Sequence, residues 1–367
     1  MLYPASGPYY PTSFAAANGI VGDLDLGFRT DALGNRLDVV DSHALRAVTG
    51  ADGSAAGWDY STALVYSRNS QTDDLARGYV SQQSLLQGLA TGLINPFGPS
   101  GPQGNDLLQS SLINGNYHTG TGTTWLFDAK ASRDIVRLPG GLLAIAFGAE
   151  ARKEQLSNDF SPLAQSGDVV TVGDVSSVAG GRRAQALYAE ASVPFAKGWE
   201  SQVAVRYDHY SDFGGTVNPK VAIRWQPVSQ LVLRSSWGTG FRAPTIYDLY
   251  VPVQQIGTTD PTFPDPVRCP VTHEPGDCAE GFTALAGGNP HLGAETSEQF
   301  NAGAVWEPFA GTSVTIDYWK INKSNVIQSL SEKQLFADFG RWAGTNVVRG
   351  AVGQGTPGAG TKKDGRA

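Results

Sequence analysis

The 367-residue sequence contains no long hydrophobic run: its longest uninterrupted apolar stretch is Leu142 to Phe147. A membrane-crossing helix needs about 20 such residues, so no helix of this chain is expected to span a bilayer, and a membrane role requires a β-barrel. Charge is scarce as well. Charged residues make up 17% of the chain, against roughly 25% in an average soluble domain. The net charge of -7 gives no basic footprint for nucleic acid. There is one methionine, and there are only two cysteines, Cys269 and Cys278, in a proline-rich stretch without CxxC spacing. In an exported protein such a lone close pair reads as a local disulfide, and in a reducing compartment as two free thiols. With only His273 nearby, no metal centre and no cofactor are expected. The first residues, MLYPASGPYYPTSF, lack the basic and apolar regions of a signal peptide. If the protein is exported, the sequence is therefore expected to be part of a longer product.

Catalytic signatures are missing too. There is no G-x-S-x-G, no H-E-x-x-H and no phosphate loop. His43, His118, His209, His273 and His291 are scattered, which reads as surface or loop histidines and not as general bases. The run G-T-G-F-R-A at 238–243 fits a dinucleotide fingerprint only in its spacing. The strand before it is amphipathic and no long helix follows, so the strand–turn–helix context fails. No enzymatic activity is expected.

What the sequence has is alternation. Along Trp199–Asp208, Trp199, Val203, Val205 and Tyr207 share one parity, and Glu200, Gln202, Arg206 and Asp208 the other. Val221, Ile223 and Trp225 oppose Lys220, Arg224 and Gln226, and Leu231, Leu233 and Trp237 oppose Gln230, Arg234 and Ser236. Successive side chains of a strand point to opposite faces, so each run is a strand with one apolar and one charged face. Weaker strands are expected at Gly22–Thr30 and His43–Thr49. Clearer ones fall at 57–69, 125–132, 143–152, 187–193, 300–306 and 313–322, and residues 1–20 read as loop.

Alternation alone fits a soluble sandwich, with its apolar face on a core, or a membrane barrel, with that face on lipid and a wet lumen inside. The connections favour the barrel. Turns at 137–142, 194–198, 226–230 and 307–312 are short, 70–117, 155–181 and 250–297 are long, and 211–217 is short for its side. Gln82–Leu93 reads as a short helix within the first long connection. Connections sorted by length between two ends are what a barrel with a periplasmic and an exterior rim shows. Aromatics near strand ends (Trp199, Tyr207, Trp225, Trp237, Tyr250) fit interfacial girdles. Arg206, Lys220, Arg224 and Arg234 are then expected to face the lumen.

Two segments carry a resemblance. GFRAPTIYDLY resembles the signature of TonB-dependent outer-membrane receptors through Gly240, Phe241, Arg242, Ala243, Pro244, Leu249 and Tyr250. NPHLGAETSEQF resembles the segment that follows it in that family, through Asn289, Pro290, Leu292, Glu295 and Ser297. FGAEARKE at 147–154 and ALYAEASVPF at 186–195 are similar to the family as well. The resemblance implies an all-β, antiparallel transmembrane barrel, here partial: about a dozen strands of a larger barrel over residues 1–350. Barrels of this type have about 22 strands. The plug domain and the first and last strands are expected to lie outside the sequence, and 351–367, GQGTPGAGTKKDGRA at its end, reads as a low-complexity, disordered tail. The implied function is active uptake of a large, scarce ligand (a ferric siderophore, cobalamin or an oligosaccharide) across the outer membrane. The implied partners are outer-membrane lipid, the plug, the TonB energy-coupling complex through that plug, and the extracellular ligand. A structural or adhesive barrel is the alternative.

Overall fold

The computed structural model describes residues 2–27, 29–170, 175–279, 281–343, 346–348 and 362–363. Ten strands form one antiparallel sheet: β1 Leu37–Ala55, β2 Trp58–Val80, β3 Leu112–Leu138, β4 Gly141–Phe160, β5 Val178–Ala196, β6 Trp199–Tyr210, β7 Gly214–Val228, β8 Leu231–Arg242, β9 Glu295–Phe309 and β10 Thr312–Ser324. Each strand pairs with its neighbours in sequence, and the sheet is open, with β1 and β10 at its edges.

The connections sort by end. On one side they are residue pairs at 56–57, 139–140, 197–198, 229–230 and 310–311. On the other they are 81–111, 161–177, 211–213 and 243–294. At the first pair, Ala56 and Gly57 both have positive φ, 52° and 75°, the twist that lets a two-residue turn join right-handed strands. The loop side also carries longer strand: β3 runs for 27 residues, where about 9–11 tilted residues cross a bilayer. The hairpins therefore stand well beyond any apolar band on that side.

Register places the alternation on two continuous faces. Trp199 pairs with Trp225, Val203 with Val221, Leu233 with Trp225 and Ala304, and Leu187 with Tyr207. This apolar face is uncovered: Leu187 is 62% exposed, Phe147 49% and Val203 46%. A sandwich would bury it, so the face fits lipid. Aromatics rim it at two levels. Trp199 stacks on Trp225 at 4.8 Å near the short turns, and Tyr66 lies 4.6 Å from Trp125 farther up. Trp199 to Tyr207 spans about 26 Å along the strand, about 20 Å of height at the usual tilt, close to the roughly 25 Å apolar band of such barrels.

The opposite face is charged. Arg206 holds Asp208 at 2.9 Å and Glu150 at 3.2 Å, and Arg234 holds Asp317 at 2.8 Å. The main cluster of buried apolar side chains is not in the sheet at all. Tyr3, Leu33, Val80, Leu85, Leu89, Ile94 and Leu108 pack together at the loop side, where the N-terminal segment meets the 81–111 connection. A barrel wall leaves its apolar face to solvent lipid, so only its loops need a water-type core.

Several expectations change. The main sheet has ten strands, in keeping with the partial barrel of about a dozen expected. The run at 22–30 is no sheet strand. Only Leu24–Asp25 is extended, pairing with Leu2–Tyr3 in a separate ladder, and Leu24 is buried while Leu26 packs on the loop-side cluster. Phe28 lies outside the described residues. The early edge is β1, and residues 1–20, expected as loop, include a helix at Thr12–Ala17. The helix expected at 82–93 forms over Gln82–Ala90, capped by the Ser81 side chain. The connections expected at 70–117 and 155–181 are shorter, because β2, β3 and β4 run on into them. His43, His118 and His209 sit on strands instead of loops, and His118 Nδ1 lies 3.7 Å from Asp73. The tail expected at 351–367 lies outside the described residues except for Lys362–Lys363.

Candidate functional site at the loop-side rim

β8 ends at Arg242, because Pro244 has no N–H to continue the ladder and its ring also holds the preceding residue extended. The chain then turns into a short helix, α1, Ile246–Tyr250. Its first turn is fixed by a capping box: Thr245 Oγ1 accepts from the Asp248 amide at 3.0 Å, and Asp248 accepts from the Thr245 amide at 2.9 Å. Ile246 and Leu249 are buried against the sheet's charged side, and Tyr247 and Tyr250 remain half open.

The two signature segments meet here. Arg242 lies opposite Glu295 in the β8–β9 register. Its Nε donates to Glu295 Oε2 and its Nη2 to Oε1, both at 2.8 Å, a two-pronged pair. Glu295 Oε1 also accepts from the Ile327 amide at 2.8 Å. The Asn289 amide donates to the Asp248 carbonyl at 2.8 Å, so the departing and returning ends of the 243–294 connection are tied side by side. Glu295 is the first residue of β9, at the rim where the 243–294 connection returns, outside the apolar band. Its carboxyl is held at about 2, first by the Arg242 hydrogen bonds and then by the Ile327 amide.

That shift fixes a pH dependence. A carboxylate held below its ordinary value near 4.3 contributes its full stabilisation above that value and loses it as pH falls through the folded one. The clasp is therefore expected to hold at pH 5 and to open as pH falls from about 4 to about 2. Protection of the Ile327 amide, taken against its intrinsic exchange rate at each pH, should fall in that window, and Glu295→Gln should remove the transition. A clasp that opens near pH 6 would contradict the assignment.

Beside the clasp is a cavity of about 410 Å³ lined by Tyr247, Asp248, Ile256, Leu285, Leu292 and Ile327, among others. Farther along the connection, Cys269 and Cys278 are bonded, Cα to Cα 5.0 Å, and close a small loop whose Asp277 is held at 3.1 Å by Arg268, the residue just before it. Non-reduced peptide mass spectrometry should recover 269 and 278 linked, and reduction should leave the sheet intact.

Of the sequence-expected lumen residues, Lys220, Arg224 and Arg234 line one open cavity of about 420 Å³ on the charged face, with Glu200, Gln202 and Asn301. Arg206 lies apart from it, in the ion network with Glu150 and Asp208. Arg242 shares the parity of Arg234. Sequence reading missed the rim's support on β5. At Gly180 a Cβ would stand 2.7 Å from Ile246 Cγ2 and 2.9 Å from the Tyr250 ring, so only glycine admits α1. Next to it, Arg182 donates to the Pro244 carbonyl at 2.6 Å and to Glu154 at 2.6 Å. The only sequence signal was a Gly-Gly-Arg run at the start of an otherwise alternating strand.

An open antiparallel sheet with one lipid-type face, one charged face and loops sorted by end has the build of a transmembrane β-barrel wall. The chain belongs to the TonB dependent receptor-like, beta-barrel family, whose model matches residues 2–355. Members of that family are transport receptors, not enzymes. Among solved structures, it is similar to a variant of the ferric enterobactin receptor PfeA from Pseudomonas aeruginosa, with TM-score 0.57 and 16% identity over 89% of this chain and 39% of that one. It is also similar to the siderophore receptor PirA from Acinetobacter baumannii, with TM-score 0.54 and 15% identity over 90% of this chain and 40% of that one. The chain thus spans well under half the length of these receptors. No curated protein sequence matches it.

Proposed function

We propose that this chain is part of the wall of an outer-membrane receptor of a Gram-negative bacterium that actively imports a large, scarce ligand, with a ferric siderophore as the first candidate. The observation that carries the reading is the sorted build of the sheet: an uncovered apolar face, a charged inner face, and long structured connections confined to one end. Loops gathered at one rim of a rigid scaffold are a ligand-binding arrangement. The likeness to siderophore receptors supports the ligand class. Ligand enters from the rim held by the Arg242–Glu295 clasp. Force comes from the energy-coupling complex through a plug domain that these ten strands do not supply. The barrel is completed by strands beyond those described.

The test is growth. The complete receptor to which this wall is proposed to belong, plug and remaining strands included, is expressed in a Gram-negative host that lacks its own siderophore receptors, and single ferric siderophores are supplied as sole iron source. Growth on at least one of them, lost in a host without the TonB protein, is the expected result. Surface display with no TonB-dependent uptake of siderophore, cobalamin or oligosaccharide would favour an adhesive barrel and overturn the reading.

A further inference from the structure

We infer that Arg182 and Gly180 of β5 form a socket that positions the 243–294 connection against the inner wall, with Arg182 as its positioning residue. Arg182 touches three separate parts of the rim. Its Nε donates to Glu154 of β4 at 2.6 Å, its Nη1 donates to the Pro244 carbonyl at 2.6 Å, and the same Nη1 lies 3.6 Å from Asp212 in the 211–213 turn. The guanidinium also sits 5.1 Å above the Tyr210 ring. Its side chain is only 11% exposed.

The geometry suits arginine. The guanidinium fork reaches two acceptors in fixed directions, whereas a lysine offers one point charge. The Pro244 carbonyl is available because the chain has just left the ladder and that residue is fully buried. Asp212 Oδ2 is buried without a hydrogen bond, so the charge of Arg182 is what offsets it. Gly180, two residues earlier and on the same face, gives α1 the space to seat Ile246.

The consequence is a division of labour in the connection. Its two ends are joined by Arg242–Glu295 at the strand tops, and its departing end is held again by Arg182–Pro244 at the wall, while the disulfide-closed stretch lies beyond both. A cover with fixed roots and a separate tip can move over the rim without disturbing the ladder. The socket concerns placement of the connection and not transport, so amide exchange tests it independently of any uptake result.

The chain is refolded in detergent micelles and amide exchange is followed in peptides spanning 244–254. The amides of Asp248, Leu249 and Val251 report there, because their acceptors lie within the turn and α1. Arg182→Gln is expected to speed exchange in that segment at least tenfold while 199–242 stays unchanged. Arg182→Lys should recover part of the protection, and Gly180→Val should loosen the same segment with the guanidinium intact. The inference is overturned by unchanged exchange in Arg182→Gln, by an equal loss across 199–242, or by a parent chain in which 244–254 is already unprotected.

Discussion

Arginine placed at Ile223 is expected to destabilise the sheet by about 2 kcal/mol, and arginine at Val221 by more, toward about 4 kcal/mol. Both side chains lie on the uncovered apolar face of β7, at 39% and 43% exposure, between the girdle residue Trp225 and the upper end of the strand. Charge on a lipid-facing position costs most at mid-depth and least near the interfaces. Ile223 is one facing position above Trp225, so it belongs at the lower end of the range, and Val221 lies deeper. Arg224→Gln, on the charged face, should cost far less. Arg224 donates to Gln226 at 2.8 Å in an open, wet cavity and holds no carboxylate within ion-pair distance among the described residues. Urea unfolding of the chain in micelles, followed by tryptophan fluorescence, reads the order directly. If Arg224→Gln cost as much as Val221→Arg, the faces would be misassigned.

That contrast was legible in the sequence because period-2 alternation fixes the face of every residue once one is placed. The parity of Trp199, Val221, Ile223 and Trp237 carried over to the structure intact. So did the sorting of the connections, since turn residues and strand runs are local signals. What was not legible has physical reasons. The upper ends of β2 and β3 fall within the connection expected at 70–117, because regular apolar alternation fades there. The stretch QTDDLARGYV at 71–80 shows no regular alternation even though the ladder continues through it. The 22–30 run misleads for the opposite reason: its leucines alternate, but Leu24 pairs with Tyr3 in a separate ladder and Leu26 packs on the small loop-side core. The signature segments were recognisable, yet their function as a clasp needs the β8–β9 register that sets Arg242 opposite Glu295. The socket at Gly180 and Arg182 comes from a strand some sixty residues earlier in the chain, and no local pattern announces such a contact.

The largest effect is expected at the sheet's two edges. β1 and β10 each leave one side of their backbone unpaired: the first runs from the loop end to the turn end, the second from the turn end to the loop end. In hydrocarbon each unpaired amide or carbonyl costs several kcal/mol, which is why barrels close. In micelles water reaches those edges, so exchange should be fast throughout 37–55 and 312–324 and slow in the central strands β6 to β8. In a bilayer the same edges forbid insertion. The two edges are antiparallel to one another, so an even number of added strands completes the ring. A barrel of ten strands alone would require a different tilt and stagger from a larger one, because these are linked to strand number. Residues 1–367, exported behind a signal peptide, are therefore expected to be degraded or aggregated, with no heat-modifiable, protease-resistant band in the outer membrane. Such a band, accompanied by energy-dependent uptake, would show that these ten strands suffice and would sink the proposal that further strands complete the wall.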